Sequence, residues 1–462
     1  MAIIIAHERG DAAEPPNAPS ILNKMYMSNA TNPSCPTAAR SDRKPPFFTY
    51  HLVGTILIAG LLVATSSCDD EEKGCSEPPK CTITPDMTQA EIQEILINND
   101  CPTVKFGAGT FNLTSTLSVV GRIDFKISGA GKGETILSFA GQSGGGEGLL
   151  ITDALDFTIE NLTVVDAKGD AIKVKDSQGV VFRNVETIWT AERSSSNGGY
   201  GIYPVLCKDV LIEECYAKGA SDAGIYVGQT TNAIVRNSKA EKNVMGIQVE
   251  NTINADVYNN EVRDNAGGIL AFDLQLLTQY GSKTRIYNNV VIDNNGDNFA
   301  VEGGFAAIAP AGTGILLMAT RDAEVFGNTI DGNNVVGLGV ISFVSVSILA
   351  DIPLTDPNYD PYFDRIYIHD NEFSNSADQN AGPGQTAIGM LLISKFSGNP
   401  IPDIVVDGIF KPGMPESGGL CLMDNVDAGF VNLDIPGEFA NPSFDPTPHI
   451  CEGNVLSPVE LE

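Results

Sequence analysis

A short phrase of apolar and polar positions recurs along the middle of the chain at nearly constant spacing. It opens with Gly-Ile, continues with alternating apolar positions, and is followed by a second β-branched run that ends in Asn or Cys. The Gly-Ile pairs begin at residues 201, 224, 246 and 268, so one unit occupies about 22 residues. Short strands separated by turn residues, without helical periodicity, are typical of one coil of a parallel β-helix. The chain is therefore predicted to be all-β, a right-handed single-stranded parallel β-helix.

The inward positions of this phrase predict a stacked core. Because strand side chains alternate between two faces, the Ile of each Gly-Ile pair should superpose inside the solenoid. These residues are Ile202, Ile225, Ile247 and Ile269. No coil can bury its apolar face alone, so the coils depend on one another. Asn recurs at the turns, where it tolerates a left-handed backbone and can bond locally or to the next coil.

The repeat and the segments outside it divide the chain into four parts. These are an N-terminal extension with a signal peptide (1–67), an acidic tether (68–85), the β-helix (86–395), and a Pro- and Gly-rich C-terminal cap and tail (396–462). At the start of the β-helix, Thr88 and Glu91 form a capping box before an apolar stripe. This pattern predicts a short amphipathic helix that caps the open end of the solenoid.

Three insertions interrupt the coils without breaking their register. They occupy residues 190–199, 298–312 and 345–364. Insertions of this kind are loops that grow from one side of a solenoid, commonly where ligands bind.

The chain is strongly acidic, with 58 Asp and Glu against 28 Lys and Arg and a formal net charge of −30. Such a surface is soluble and repels nucleic acid, so we expect no nucleic-acid partner. An anionic polymer would be repelled as well, unless cations or a local basic patch intervene. General solvation of the surface is the simplest interpretation of the charge.

An apolar run at residues 52–67 follows three basic residues and stops at Cys68. Its length of about 16 residues is short for a membrane span and suits the core of a signal peptide. The small residues before Cys68 resemble a bacterial lipoprotein signal, in which the Cys is lipidated, although Thr65 departs from the usual pattern. The acidic run that follows resembles the tag of some surface-exported lipoproteins. We expect a lipid anchor at the cell envelope, in the outer membrane or at the cell surface; a plain cleaved signal peptide is the alternative.

Seven cysteines follow Cys68, and an exported chain permits disulfides. Because seven is odd, at least one thiol is free or pairs elsewhere. Cys421 and Cys451 are expected to be joined, since both lie in the cap, which has little periodic core. Cys207 and Cys215 are a second candidate pair.

No Cys or His spacing typical of structural zinc or haem occurs, so we predict no such metal site. The run at 293–298 has acidic residues at calcium-loop spacing, but it lacks the required Gly and the final Glu. A structural turn is the better interpretation of that run.

Several phrases together resemble one known family, the parallel β-helix repeat lipoproteins of bacteria. They are GDAIKV, GGYGIYPVLCKDVLIEEC, SDAGIYVGQT, GIQVEN, GGILAFDL and NPSFDPTPHIC. The resemblance covers roughly residues 82–452. It implies an exported cytochrome-like partner, since the gene of such a protein tends to be adjacent. More distantly, the fold is similar to pectate lyases, alginate epimerases and other polysaccharide-acting β-helices. The Asp-Pro-His of the epimerases and the Gly-His-Gly of the polygalacturonases are missing. Enzymatic activity therefore rests on analogy of fold.

Alignment of the coils on Gly-Ile predicts two outward columns of side chains. The first holds Lys173, Tyr203, Tyr226, Gln248, Leu270 and Leu316, and the second holds Lys175, Val205, Gly228, Glu250, Phe272 and Met318. Asp170, Tyr200 and Asp222 lie beside them, and the 190–199 loop brings Arg193 close in sequence. Polar and aromatic residues thus concentrate over the coils at 170–251, and the 298–312 insertion is a candidate cover for the apolar coils.

These columns predict a saccharide site. Lys173 or Arg193 would act as base or carboxylate neutraliser, a tyrosine as acid, and Asp222 or Glu250 as a Ca²⁺ ligand, as elimination or epimerisation of a uronate requires. Tyr203, Tyr226 and Gln248 would bind the sugar. The alternative is that these are ordinary stacked side chains on a solvated sheet.

Two functions follow. One is a polysaccharide lyase or epimerase at the cell envelope; the other is a non-catalytic surface module that binds a glycan or an exported partner protein.

Overall fold

The computed structural model describes most of the chain from residue 81 onwards. The described residues are 81–98, 100–374, 384–396, 399–415 and 417–462. The predicted signal peptide, lipidation at Cys68 and most of the acidic tether lie outside them. None of the helices in the described part of the chain is both long and apolar enough to cross a membrane.

Short strands and a few short helices make up the described chain. The strands are β1 (Thr82–Ile83), β2 (Thr103–Phe106), β3 (Gly109–Asn112), β4 (Ser115–Val120), β5 (Ile123–Ser128), β6 (Thr135–Ser138), β7 (Gly144–Thr152), β8 (Leu155–Val165), β9 (Ile172–Lys175), β10 (Gln178–Ile188), β11 (Tyr200–Val205), β12 (Lys208–Glu213), β13 (Tyr216–Lys218), β14 (Ala223–Gly228), β15 (Thr231–Arg236), β16 (Lys239–Glu241), β17 (Met245–Glu250), β18 (Ile253–Tyr258), β19 (Glu261–Arg263), β20 (Gly267–Phe272), β21 (Ser282–Tyr287), β22 (Val290–Ile292), β23 (Thr313–Met318), β24 (Arg321–Phe326), β25 (Thr329–Asp331), β26 (Val336–Ile341), β27 (Asp364–His369), β28 (Glu372–Ser374), β29 (Ile404–Val406), β30 (Leu420–Met423) and β31 (Phe430–Asn432). The α-helices are α1 (Gln89–Ile97), α2 (Phe343–Ala350) and α3 (Ala387–Lys395), and single 3₁₀ turns occur at Phe305–Ile308, Ile435–Gly437 and Thr447–His449.

The strands stack in three parallel rows, one strand of each row per coil. Row 1 consists of β4, β7, β9, β11, β14, β17, β20, β23, β26, β29 and β31. Row 2 consists of β1, β2, β5, β8, β10, β12, β15, β18, β21, β24, β27 and β30. Row 3 consists of β3, β6, the ends of β8 and β10, and β13, β16, β19, β22, β25 and β28. This is a right-handed parallel β-helix, so the predicted fold is confirmed.

The interior is the predicted ladder of aliphatic side chains. In row 1, Ile202 pairs with Ile225, Ile225 with Ile247, and Ile247 with Ile269. All four side chains are fully buried. Each coil thus covers the apolar face of the next, as a solenoid core requires.

Two ladders of asparagines, all buried except the half-buried Asn425, hold the turns together. One contains Asn243, Asn265, Asn294 and Asn333, and the other contains Asn260, Asn289, Asn328, Asn371 and Asn425. Within each ladder the side-chain nitrogen donates to the side-chain oxygen of the next coil. The same nitrogen also donates to a backbone carbonyl, as Asn289 does to Val257 at 2.9 Å. The expected bonding of Asn to the next coil is confirmed, and it includes the 293–298 turn through Asn294.

The N-terminal coil begins earlier than the sequence pattern indicated. Helix α1 has the predicted capping box, in which Glu91 N donates to Thr88 Oγ1 at 3.3 Å. Ile92 and Leu96 of this helix are buried against the first coils. Strand β1, however, already pairs with β2, inside the segment predicted as tether. A disulfide between Cys81 and Cys101 fixes this start, and no pattern in the sequence indicated it.

The parallel rows also continue past residue 395, into the predicted cap. Strands β29 and β31 extend row 1, and β30 extends row 2. Their three or four residues lie between long loops, which hide the period in the sequence. The predicted disulfide between Cys421 and Cys451 is present in this region, with an S–S distance of 2.08 Å.

The pairing of Cys207 with Cys215 was a wrong prediction. Among the described cysteines these two remain free, and both are buried. They flank the six-residue strand β12 and therefore lie at opposite ends of one row-2 strand. An extended strand of that length holds their sulfur atoms too far apart for a bond.

Candidate functional site

The outer face of row 1 keeps the predicted order of side chains. Tyr203 pairs with Lys173, Tyr226 with Gln248, and Gln248 with Leu270. In the second column, Glu250 lies between Gly228 and Phe272. The regular register of parallel strands therefore brings residues from five coils into one patch.

Three tyrosine rings form the centre of this patch, and we call Tyr200, Tyr203 and Tyr226 the tyrosine cluster. The ring centroids are 4.4 Å apart for Tyr200 and Tyr203, and 4.8 Å apart for the other two pairs. Tyr203 and Tyr226 meet edge to face, at 86°. Tyr200 pairs with Ala223, whose small side chain leaves room for its ring beside Tyr226. The rings thus pack in geometries that aromatic side chains favour.

Two carboxylates accept hydrogen bonds from hydroxyl groups of the cluster. Tyr200 Oη donates to Asp222 Oδ2 at 3.0 Å, and Tyr226 Oη donates to Glu250 Oε2 at 2.8 Å. Gln248 Nε2 donates to the other oxygen of Asp222 at 3.1 Å. Each bond joins neighbouring coils, so the register of row 1 also sets the polar contacts.

Burial changes the protonation of these groups. It raises the pKa of Asp222 to about 6 and that of Glu250 to about 7, although the tyrosine hydroxyls partly oppose this. Burial and the adjacent carboxylates also raise the pKa of Tyr200 and of Tyr226 well above the usual value. Both acids therefore exchange protons near neutral pH, while the tyrosines stay protonated and donate.

Lys173 closes the cluster on its N-terminal side. Its ammonium lies 4.7 Å from the centroid of the Tyr203 ring, a cation–π contact. The same nitrogen is 3.3 Å from Asp170 Oδ2 and 3.9 Å from Glu147 Oε1. Burial raises the pKa of Asp170 to about 6 in spite of Lys173.

Arg193 lies elsewhere. Within the described residues, its Nη2 atom pairs with Asp264 Oδ1 at 2.5 Å and donates to the Asp264 backbone carbonyl at 3.0 Å. Asp264 follows β19 of row 3, whereas Lys173 lies in row 1. The 190–199 loop therefore runs along the turns between the rows, and the expectation that Arg193 joins Lys173 is not met.

The patch is more enclosed than a solvated column would be. Tyr226 and Gln248 are only 4% and 3% exposed. Lys173, Asp170, Tyr200, Tyr203, Asp222 and Glu250 are half-buried and form the accessible part. The later, apolar coils are covered by the 298–312 insertion, whose Phe305 ring stacks on Phe272 with centroids 5.6 Å apart. The described residues include no group of three or more His, Cys, Asp or Glu that could hold a metal ion.

The comparisons with known proteins concern the coils that carry this patch. A family model described as right handed beta helix region matches residues 147–378, slightly more than half of the chain. The chain belongs to the right-handed β-helix family. No curated protein matches it.

Solved structures with a similar β-helix cover much of the chain at low identity. The mannuronan C-5 epimerase AlgE4 A-module of Azotobacter vinelandii is 15% identical, with a TM-score of 0.41, over 70% of this chain and 86% of that one. The catalytic domain of a GH87 alpha-1,3-glucanase with bound tetrasaccharides is 13% identical, with a TM-score of 0.35, over 68% of each chain. The Dettilon tailspike protein is 14% identical, with a TM-score of 0.37, over 75% of this chain and 68% of that one.

Proposed function

We propose that this β-helix protein binds a neutral or basic saccharide at the tyrosine cluster, as a non-catalytic module of the cell envelope. The observation that carries the proposal is the half-buried Tyr203 ring, which lies 4.7 Å from the Lys173 ammonium. It packs against Tyr200 and Tyr226, whose hydroxyls donate to carboxylates. Sugars present C–H faces that pack on aromatic rings and hydroxyl groups that bond to polar side chains. A small number of fixed polar groups beside apolar surface is typical of such sites.

Charge favours a neutral or basic ligand over a uronate. Among the described residues around the cluster, four acids (Glu147, Asp170, Asp222 and Glu250) face one cation, Lys173. A substrate carboxylate would be repelled by the ionised acids, and Lys173 is already paired with two of them. An amino sugar would instead be attracted.

The contacts also argue against uronate elimination or epimerisation. The hydroxyls of Tyr200 and Tyr226 already donate to carboxylates, and Arg193 binds Asp264. Two of the three candidate acids and one of the two candidate neutralisers are therefore engaged in other contacts. Binding requires none of these groups to be released.

A second function deserves a test because Asp222 and Glu250 have pKa values of about 6 and 7. Acids of this kind serve as proton donors and acceptors in glycoside hydrolysis. Release of reducing sugar from a bound glycan, lost in Glu250→Gln, would support hydrolysis over binding alone.

The binding proposal is tested with purified protein against neutral, amino-sugar and uronate polysaccharides, with and without Ca²⁺. Tyr203→Ala should weaken binding of the preferred glycan by about 1–3 kcal/mol, the scale of one large apolar side chain. Tyr258→Ala is the matched control, since this half-buried ring stacks on Tyr287 in row 2, away from the cluster. Unchanged glycan binding by a variant with alanine at Lys173, Tyr203 and Tyr226 would move the binding surface elsewhere, and a partner protein would then be sought.

We also propose export and lipid anchoring through Cys68, which lies outside the described residues. The apolar run at 52–67 and the small residues before Cys68 support this. Mass spectrometry of the native N-terminus should find an acylated Cys68. An unmodified N-terminus at another residue would refute the anchor and leave a cleaved signal peptide.

A further inference from the structure

An apolar cavity of about 90 Å³ lies on the outer face of row 1, C-terminal to the tyrosine cluster. Its floor follows the first outward column through Leu270, Leu316 and Gly339 of successive strands. Its walls come from the 298–312 insertion, α2 and α3. Three separate segments between coils therefore converge on one stretch of the sheet.

The polar atoms at this cavity are engaged with the protein. Thr313 Oγ1 donates to the Pro310 carbonyl at 2.8 Å, and Ser345 Oγ donates to the Ser342 carbonyl at 2.8 Å. Gln248 Nε2 donates to Asp222 at 3.1 Å. A water molecule would find few partners here, and apolar cavities of this kind stay dry and accept apolar molecules.

The cavity begins where the tyrosine cluster ends. Gln248 lines it, and the same residue lies one strand from Tyr226 on one side and one strand from Leu270 on the other. Adjacent strands are about 4.8 Å apart, so a ligand on the cluster could reach the cavity with a chain of a few carbons.

The floor at Gly339 is closed by the side chains of two neighbouring residues. A Cβ atom at Gly339 would lie 2.9 Å from Leu316 Cδ1 and 3.2 Å from Val336 Cγ1. A larger residue at this position would displace these two side chains into the cavity. Protein interiors are otherwise close-packed, so an unfilled space bounded by three segments between coils suits a ligand group.

We propose that this cavity receives a short alkyl or acyl substituent of the saccharide bound at the tyrosine cluster. The proposal rests on the proposed function, and it names the ligand as an amphiphilic sugar. The cavity is smaller than the engineered one of about 150 Å³ that holds benzene, so it admits a chain of a few carbons and no sugar ring.

The proposal is tested by measuring the affinity of the full chain for methyl, butyl and octyl β-glucosides with titration calorimetry. Each methylene that enters the cavity should tighten binding about three- to fourfold. The butyl glucoside should therefore bind much more tightly than the methyl glucoside. The octyl glucoside should gain little beyond butyl, because the cavity is then full.

Leu316→Trp and Ala309→Leu fill the cavity from its floor and from its wall. Both should remove the gain from the butyl chain and leave affinity for methyl glucoside unchanged. Val290→Phe is the matched control for non-specific alkyl binding, since Val290 is 39% exposed on row 3. Two cavity variants are used so that misfolding of one, seen by circular dichroism, does not decide the result.

The outcomes separate the two proposals. If methyl and butyl glucosides bind equally, and Tyr203→Ala weakens both, the cavity proposal is overturned and saccharide binding stands. If no glycoside or polysaccharide binds, the proposed function fails, and the amphiphilic sugar fails with it. Binding of xenon in pressurised crystals tests the cavity without a sugar. Xenon bound beside Leu316 in the wild type and not in Leu316→Trp would support an apolar site. Absence of xenon from the wild-type cavity would overturn the apolar site.

Discussion

The Tyr226 hydroxyl donates a hydrogen bond to the Glu250 carboxylate on the adjacent coil, with 2.8 Å between the two oxygen atoms. The bond exists because β14 and β17 pair in register, so that Tyr226 lies beside Gln248 and Gly228 lies beside Glu250. Gly228 carries no side chain, which leaves space for the Tyr226 ring to reach the carboxylate. Burial raises the pKa of Glu250 to about 7.

The first prediction concerns pH. An unfolded Glu titrates near pH 4.3, and the folded pKa is about 7, so folding favours the protonated form. This contribution is fully present below about pH 4.3 and is lost as pH rises through 7. Glu250→Gln should therefore be more stable relative to wild type at pH 8 than at pH 4.5, by about 1–3 kcal/mol in urea unfolding. The control is Glu372→Gln, which replaces an exposed side chain.

The second prediction concerns the cysteines. Burial raises the pKa of the Cys207 and Cys215 thiols to about 12, so neither forms a thiolate at neutral pH. In the folded protein both should resist iodoacetamide, and in urea both should react, as peptide mapping would show. Rapid labelling of Cys207 in the native state would contradict the burial argument.

Cys421→Ser should lower the unfolding free energy by about 2–4 kcal/mol, since the bridge closes a loop of 30 residues.

The third prediction concerns the asparagine ladder. Asn289 accepts from Asn260 and donates to Asn328 and to the Val257 carbonyl, all within 3.0 Å. Asn289→Ala removes the acceptor of the Asn260 backbone N–H and the donor to the Val257 carbonyl, at about 1–3 kcal/mol for each buried group left without its partner. The variant should unfold at least 2 kcal/mol more easily, on the same scale. Asn358→Ala, at an exposed position, is the control and should change stability little. Equal stability of the two variants would show that the ladder is dispensable.

Much of the fold and the membership of the cluster followed from the register. Once Gly-Ile marks each coil, Tyr203, Tyr226 and Gln248 must share one column, because parallel strands pair without offset. The depth of that column did not follow from the sequence. Tyr226 and Gln248 are buried, because insertions cover the apolar coils beside them. These insertions do not follow the repeat of the coils.

Contacts between distant segments were also beyond the sequence pattern. Arg193 meets Asp264 from 71 residues away, and no spacing rule links a loop to a turn three coils further on. Cys81 lies next to β1, a two-residue strand in a segment that looks like a tether. Such contacts depend on the conformations of loops, which the repeat of the solenoid does not determine.

The C-terminal tail, residues 455–462, is the largest feature that the sequence did not indicate. It runs along row 2 back towards the N-terminal coils. Leu456 N donates to Glu324 at 2.9 Å, Val459 N donates to Asp256 at 3.2 Å, and Glu462 pairs with Lys208 at 2.6 Å. Asp256 and Glu324 are only 3% and 2% exposed, and Arg285 lies between them in the same column.

The last prediction is that this tail stabilises the row-2 coils locally. Deleting residues 455–462 removes the backbone N–H groups that donate to Asp256 and Glu324 and the Leu456 carbonyl that accepts from Arg285. Asp256 keeps its ion pair with Arg285, and Glu324 keeps its contact with His369. Amide hydrogens of β18, β21 and β24 should then exchange faster, while those of row 1 keep their protection. Lys208→Ala breaks the exposed ion pair with Glu462 at the end of the tail, together with the contact between Lys208 and Asp209. It should have little effect, since exposed ion pairs contribute little to stability. If exchange in row 2 is the same with and without the tail, the coils are stable by themselves and the tail merely lies on them.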